Sequence, residues 1–471
     1  MDSSTISGDQ RSLLGDDVLV VNNDRIGGTE TNNDSNQEPS TNGRQSGASW
    51  WMSSFIVINA AMGAALLNFP AAFNRAGGIA AATVVHLVMI TLASLTLVVL
   101  GWCSDLKGND SYQETIGALC GKWGRRLLGG LGFLWCFDAP PLSGGGGGGP
   151  AGRIFFDKFG PNFCDHWYMS RDFFMPILAV ILILPLCFCR TIDFLKVPSG
   201  VATVGVFYLV ALSVYVYFIS DTSQVVVHTS PQSWTDLFLA IPTICFGYQC
   251  HVQIVPIYTC IQPHNLLNLT KTIIFAMFVC FIAYEILAIF GYLTFGSAVA
   301  DDVLSSYSTK NGWVLAGFVI FAVKTFLSYP IMLFCGRLAI ESLWSDLKQL
   351  DAFQMALGER RRRIFIGLFF FAASLLIAVL LPNIAAFIDY LGFLSAIFIF
   401  FFPGWCLFKA MRLFETDLPG WKYKAGMVTA WSYLILGAFV IGLSIGQAVM
   451  DNLHPRGTQV VTLVVNRTCR V

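Results

Sequence analysis

Charge is scarce in this chain. Asp, Glu, Lys and Arg make up 12% of 471 residues, about half the usual share of a soluble protein. The 29 basic residues balance 29 acidic ones, which removes any broad attraction to nucleic acid. Paired cysteine motifs are missing too. The thirteen cysteines include no CxxC pair or zinc spacing, and most fall inside apolar runs, where a thiol behaves as a small buried hydrophobe. Only Cys164 and Cys469 fall in segments expected outside the cytosol, where a disulfide could join them. The six histidines (86, 166, 228, 251, 264 and 454) are dispersed, and Asp105, Asp301 and Asp302 lie in loops. With no nucleophile–base arrangement in view, the chain is not read as an enzyme. The first 48 residues lack an apolar core, so they are not a signal peptide. Rich in Ser, Asn, Asp, Gly and Gln, they read as a disordered cytosolic tail. The apolar residues run continuously instead of alternating, which argues against a β-barrel.

Long apolar runs are what the chain does have. Several exceed 18 residues, the mark of an all-α polytopic membrane protein. Eleven spans are predicted, at 53–73, 78–103, 124–148, 173–189, 199–219, 234–259, 271–295, 313–343, 364–382, 384–408 and 425–450. They define a membrane domain over 49–451, followed by a short tail over 452–471. Basic residues orient it. With the N-terminus in the cytosol, the cytosolic loops hold Lys107, Lys122, Arg125 and Arg126, then Arg190 and Lys196, then Lys271. Lys348, Arg360 to Arg363, Lys409, Arg412, Lys422 and Lys424 follow on the same side. Opposite loops are poorer: 220–233 has no Lys or Arg, and 296–312 has only Lys310. The loop at 153–172 is the exception, with Arg153, Lys158 and Arg171. An odd number of spans leaves the C-terminal tail outside the cytosol. SGGGGGGPAG, residues 143–152, interrupts the third span. Either that helix is short and ends in an irregular bend, or the natural sequence differs at these positions.

Two spans are built to break. NAAMGAALLNFP, residues 59–70, places Asn59, Gly63, Asn68 and Pro70 in the first. PTICFGYQCH, residues 242–251, places Pro242, Gly247, Gln249 and His251 in the sixth. Unwound backbone in lipid is tolerated only where protein, water or a ligand satisfies it. Half-helix N-termini suit a carboxylate, and C-terminal carbonyls suit a cation. A zwitterionic amino acid offers both charges. Close packing by small residues accounts for either segment alone. Interruptions at matching positions, five spans apart, point to a transport site.

The motifs NAAMGAALLNFPAAFNRAGG, PTICFGYQCHVQIVPIY, GYLTFG (291–296), DVLSSY (302–307), SYPIMLFCGR (328–337) and FIFFFPGWCL (398–407) occur in order. Together they resemble the sodium-coupled neutral amino acid transporter family, in the amino acid/auxin permease group. The resemblance covers about residues 50–450 and departs at 137–152. It implies a LeuT-like fold in which spans one to five and six to ten are inverted repeats, with an eleventh helix appended. It also implies substrate held by the unwound parts of spans one and six, at Met62, Gly63, Ala64 and Ala65, and at Phe246, Gly247, Tyr248 and Gln249. Sodium, as co-substrate and with no other cofactor, would sit between spans one and eight at Asn59 and Ser328, whose oxygens suit a hard cation.

Three further residues are candidates for ion coupling. Lys324 lies near mid-membrane, one turn before Ser328 on the same helix face. A lysine there is costly unless paired or hydrated; Glu285, half-way along span seven, is one candidate partner, and a watery vestibule is the other reading. His251 follows the sixth-span break and could titrate near neutral pH. His86 in span two is expected to be structural. In the tail, DQRSLL sets Asp9 four residues before Leu13 and Leu14, resembling an acidic dileucine signal for an endosomal or lysosomal sorting adaptor. Asn466 in NRT is a glycosylation acceptor on the non-cytosolic side.

The expected function is secondary active transport of neutral amino acids, glutamine above all with asparagine beside it, coupled to sodium. The lysosomal or endosomal membrane is favoured, with the plasma membrane or axon as alternatives. Three other readings stay open on these residues: a proton-coupled transporter, an uncoupled one, and an amino-acid sensor signalling through its N-terminal tail.

Overall fold

The computed structural model describes residues 48–136, 177, 180, 181, 196–308, 311–349, 358–380, 391–416 and 419–453. Asp9, Leu13, Leu14, Cys164, Cys469, Asn466 and the glycine run at 143–152 lie outside the described residues, as does nearly all of the span expected at 173–189.

The apolar runs form helices α1 (Trp50–Ala61), α2 (Phe69–Arg75), α3 (Ile79–Lys107), α4 (Tyr112–Cys136) and α5 (Lys196–Ile219). Next come α6 (Ile241–Gly247), α7 (His251–Thr259), α8 (Leu266–Phe295) and α9 (Gly312–Lys348). The last are α10 (Glu359–Leu380), α11 (Phe402–Leu413) and α12 (Gly420–Leu453). Seven of the described segments are long and apolar enough to cross a membrane, and α1 with the bent segment to Arg75 makes an eighth, at 56°.

The third expected span, 124–148, is described only as far as Cys136. A short helical stretch precedes it from Tyr112, where the Ser111 hydroxyl accepts the Glu114 N–H at 3.2 Å and caps the first turn. The chain then turns at Gly121, whose φ of 83° suits glycine. Arg125 is not free in a loop. It pairs with Asp346 and ties α4 to the end of α9.

On α3, Val84, Leu87, Val88 and Leu95 form one exposed apolar stripe, while Ala82, His86, Met89, Ala93, Leu97 and Leu100 form the buried one. Their spacing is helical. The outward stripe suits lipid, and the inward one faces α8. Helix α1 lies against α8 and α5, and α9 lies against α4 and α5. The two interrupted spans meet inside this bundle, where the segment after α1 touches α6 and α8.

Candidate substrate and ion site

The first break starts at Met62, where α1 ends. The Gly63 N–H turns back to the Ala61 carbonyl at 2.8 Å instead of continuing the α pattern. A 3-10 turn, Ala64–Asn68, follows, and α2 resumes the span. Met62 and Ala65 are buried. The second break is Tyr248–Cys250, between α6 and α7. Phe246 and Gly247 close α6. Phe246 meets the Trp135 ring edge-on at 5.8 Å.

One residue joins the two breaks. The Tyr284 hydroxyl on α8 lies 3.0 Å from the Ala61 carbonyl and 2.9 Å from the Gly247 carbonyl. These are the C-terminal ends of the two half-helices, where carbonyls lack helical partners and carry partial negative charge. The Tyr284 ring stacks on Phe69 at 4.0 Å.

The two break glycines differ in what demands them. A Cβ on Gly247 would lie 2.7 Å from the Phe69 ring, so this glycine permits close packing. A Cβ on Gly63 would meet nothing within 4 Å. Its backbone, at φ −78°, is open to other residues. Neither packing nor conformation requires glycine there, and what a side chain would occupy is open space.

Gln249, in the second break, is 2% exposed. Neither its amide nitrogen nor its amide oxygen has a hydrogen-bond partner among the described residues, a costly state unless a ligand or water completes it. Its neighbour Tyr248 is satisfied. The Tyr248 hydroxyl is 2.6 Å from His86 Nε2, and His86 Nδ1 is 2.7 Å from Glu285 Oε1. The Thr83 hydroxyl donates to Glu285 Oε2 at 3.0 Å.

Asn59 and Ser328, 269 residues apart, come together. The Ser328 hydroxyl lies 2.8 Å from Asn59 Oδ1 and 2.9 Å from the Lys324 carbonyl. The Asn59 amide nitrogen donates to the Ser199 hydroxyl on α5 at 3.3 Å. Lys324 is 3% exposed. The candidate Lys324–Glu285 pair does not form: the carboxylate faces α3, where His86 and Thr83 each bond one of its oxygens. Among the described residues Lys324 has no carboxylate partner. His251 opens α7, with Nε2 at 2.9 Å from the Thr96 hydroxyl and Nδ1 without a partner among the described residues.

Four contributors were not singled out as functional by the sequence: Tyr284, Ser199, Thr83 and His86. Spacing could have flagged only His86, as a buried histidine on the inward stripe of α3. The others are ordinary membrane-helix residues until the bundle is assembled.

Two broken spans facing each other in an all-helical bundle define a LeuT-like transporter fold. Among solved structures, MhsT in complex with L-phenylalanine matches with a TM-score of 0.55 at 14% identity, covering 85% of this chain and 100% of that one. A manganese transporter of Eremococcus coleocola matches at 0.53 and 13%, covering 89% and 90%. The family profile described as transmembrane amino acid transporter protein matches residues 46–450. Sodium-coupled neutral amino acid transporter 7 of Danio rerio is 35% identical over 433 residues, covering 89% of this chain and 91% of its own. The Homo sapiens protein of that name is 35% identical over 413 residues, covering 85% and 87%. Putative sodium-coupled neutral amino acid transporter 8 of Xenopus tropicalis is 33% identical, covering 84% and 92%. This chain belongs to the transmembrane amino acid transporter family.

Proposed function

We propose that the chain carries neutral amino acids, glutamine above all and asparagine beside it, with sodium as co-substrate. The observation that carries this reading is the open space at Gly63, at the point where the first span unwinds. An α-amino acid seated there would set its carboxylate against the freed N–H groups of the segment after Met62. Its ammonium would face the carbonyl ends at Ala61 and Gly247. The unpartnered amide of Gln249 is the chemical complement of a side-chain amide. Sodium would be held by the Asn59 and Ser328 oxygens. The relatives' names, sodium-coupled neutral amino acid transporter, favour the same pairing.

The hydrogen bonds suggest how the cycle divides the molecule. Tyr284, His86 and Glu285 link α1, α3, α6 and α8, which are spans one, two, six and seven. These would rock as one group against the remainder. Asn59 reaches out of that group to Ser199 on α5 and Ser328 on α9. A cation bound there sits on the seam, so its binding free energy acts on the relative position of the two groups.

Uptake of labelled glutamine into proteoliposomes, with sodium replaced by choline, tests the reading. Uptake that needs sodium and is inhibited by asparagine is expected. Binding without flux would mark a sensor instead, and flux indifferent to sodium would remove the coupling. For location we propose the lysosomal or endosomal membrane, from Asp9, Leu13 and Leu14. The double change of Leu13 and Leu14 to Ala is expected to move the protein to the cell surface.

A further inference from the structure

Four consecutive arginines, Arg360 to Arg363, lie in the first turn of α10, and the site described above uses none of them. The helix divides them. Ile366, Phe370 and Ser374 are buried, while Phe365, Leu368, Phe369 and Leu376 are 42–70% exposed. At about 100° of rotation per residue, Arg361 falls on the centre of the outward stripe and Arg363 on the inward one. The side chains follow that division. Arg363 Nη1 donates to Glu359 Oε1 at 3.0 Å, and its side chain is 15% exposed. Glu341 on α9 feels the charges of Arg337, Arg362 and Arg363. Those three guanidiniums already outnumber Glu341 and Glu359, so no negative charge is left over for the outer pair. Arg360 and Arg361 are exposed. Neither has a carboxylate partner among the described residues.

We propose that Arg360 and Arg361 bind the phosphate of an anionic phospholipid, whose acyl chains run down the exposed stripe of α10. The depth fits. Helix α9 ends one turn beyond Trp344, which is 48% exposed and carries Lys348 Nζ 5.8 Å from its ring centroid. An exposed tryptophan beside a basic residue marks the headgroup level. The chain re-enters as α10 at the same face, so the arginines begin at that level. Phe365 follows Arg361 by about 6 Å along the axis, and the stripe continues to Leu376. Each arginine stem can lie on that apolar surface while its head stays at the phosphate. The guanidinium fork matches two phosphate oxygens. The free N–H groups of the first turn add partial positive charge. A zwitterionic choline lipid brings its own cation, which these charges repel. The face is the one expected to be cytosolic, where anionic lipids gather.

The test reads lipid binding and is independent of transport. The full chain in detergent is titrated with phosphatidylinositol or with phosphatidylcholine, and bound lipid is counted by native mass spectrometry. A basic residue at the membrane surface is worth about fivefold in binding. Wild type is therefore expected to hold phosphatidylinositol at least tenfold more tightly than phosphatidylcholine. Arg360→Gln with Arg361→Gln is expected to abolish that preference. Lys422→Gln with Lys424→Gln removes the same charge from exposed positions at the start of α12, and is expected to leave it intact. Soluble glycerophosphoinositol at equal concentration is expected not to displace the lipid, because it has no chains for the stripe. A wild type without the preference overturns the proposal. Equal loss in both double variants overturns it too, by reducing it to bulk charge. Displacement by the soluble headgroup overturns the lipid assignment in favour of a plain anion site. If the α10 double variant does not insert, Arg361→Gln alone keeps three arginines for orientation. It is expected to lower the preference at least threefold, and an unchanged preference overturns the proposal.

Discussion

The two breaks are alike in sequence and unlike in surroundings. Each interrupts a span with glycine near its centre, and Tyr284 touches the end of each leading half-helix. Yet Gly63 borders open space, while Gly247 is pressed against Phe69, which is itself stacked on Tyr284. The first break is anchored outward through Asn59 to α5 and α9, and the second inward through Tyr248 to α3. A pair of interruptions related by repeat therefore need not share a role. One leaves room, and the other fixes how closely two helices approach.

The comparison can be broken most sharply at Gly63. Gly63→Leu is expected to fill the open space, reducing glutamine uptake at least a hundredfold with membrane yield and melting temperature unchanged. Equal loss of yield would mean the position is a packing site after all. At Gly247 the pattern should reverse. Gly247→Ala forces a methyl toward the Phe69 ring, and overpacking of this kind costs about 1–3 kcal/mol. The melting temperature should fall together with uptake, and an unchanged melting temperature would erase the contrast.

Smaller effects sharpen the difference in anchoring. Asn59→Ala removes the side-chain oxygen proposed to hold sodium and leaves the buried Ser199 without its Asn59 donor. The sodium concentration for half-maximal uptake should rise at least tenfold, which is about 1.4 kcal/mol of binding free energy. Ser328→Ala should act in the same direction but less, because the Lys324 carbonyl already shares that hydroxyl. Lys324→Met should have the smallest effect, and of opposite sign: losing the ammonium one turn from Ser328 lowers the sodium requirement a few-fold. A raised requirement would show that the ammonium supports the ion site instead of opposing it.

The sequence made the breaks legible because a glycine or proline in an apolar run contradicts its surroundings wherever it falls. It also paired Asn59 with Ser328 through the family resemblance, and the bundle brings them within 2.8 Å. The error at Glu285 has a physical source. Hydropathy placed both Glu285 and Lys324 at mid-membrane, and depth alone makes opposite charges look like partners. Which face of α8 the carboxylate leaves from depends on how α8 rotates against α3, and α8 is so evenly apolar that no stripe declared it. Tyr284 was hidden for the same reason. The short helical stretch ahead of the third span was not foreseen, because Ser111 and Gly121 set its capping and turn locally, signals that the basic pair Arg125/Arg126 outweighed.

The Tyr284 hydroxyl has a single hydrogen and two carbonyl neighbours. It can bond fully to Ala61 or to Gly247, or divide itself weakly between them. If the half-helices part, the hydroxyl can follow either one and keep one complete bond throughout. The contact that ties the breaks together is therefore transferable: parting trades a shared bond for a complete one at whichever half-helix keeps the hydroxyl, and it frees the other carbonyl for a different donor.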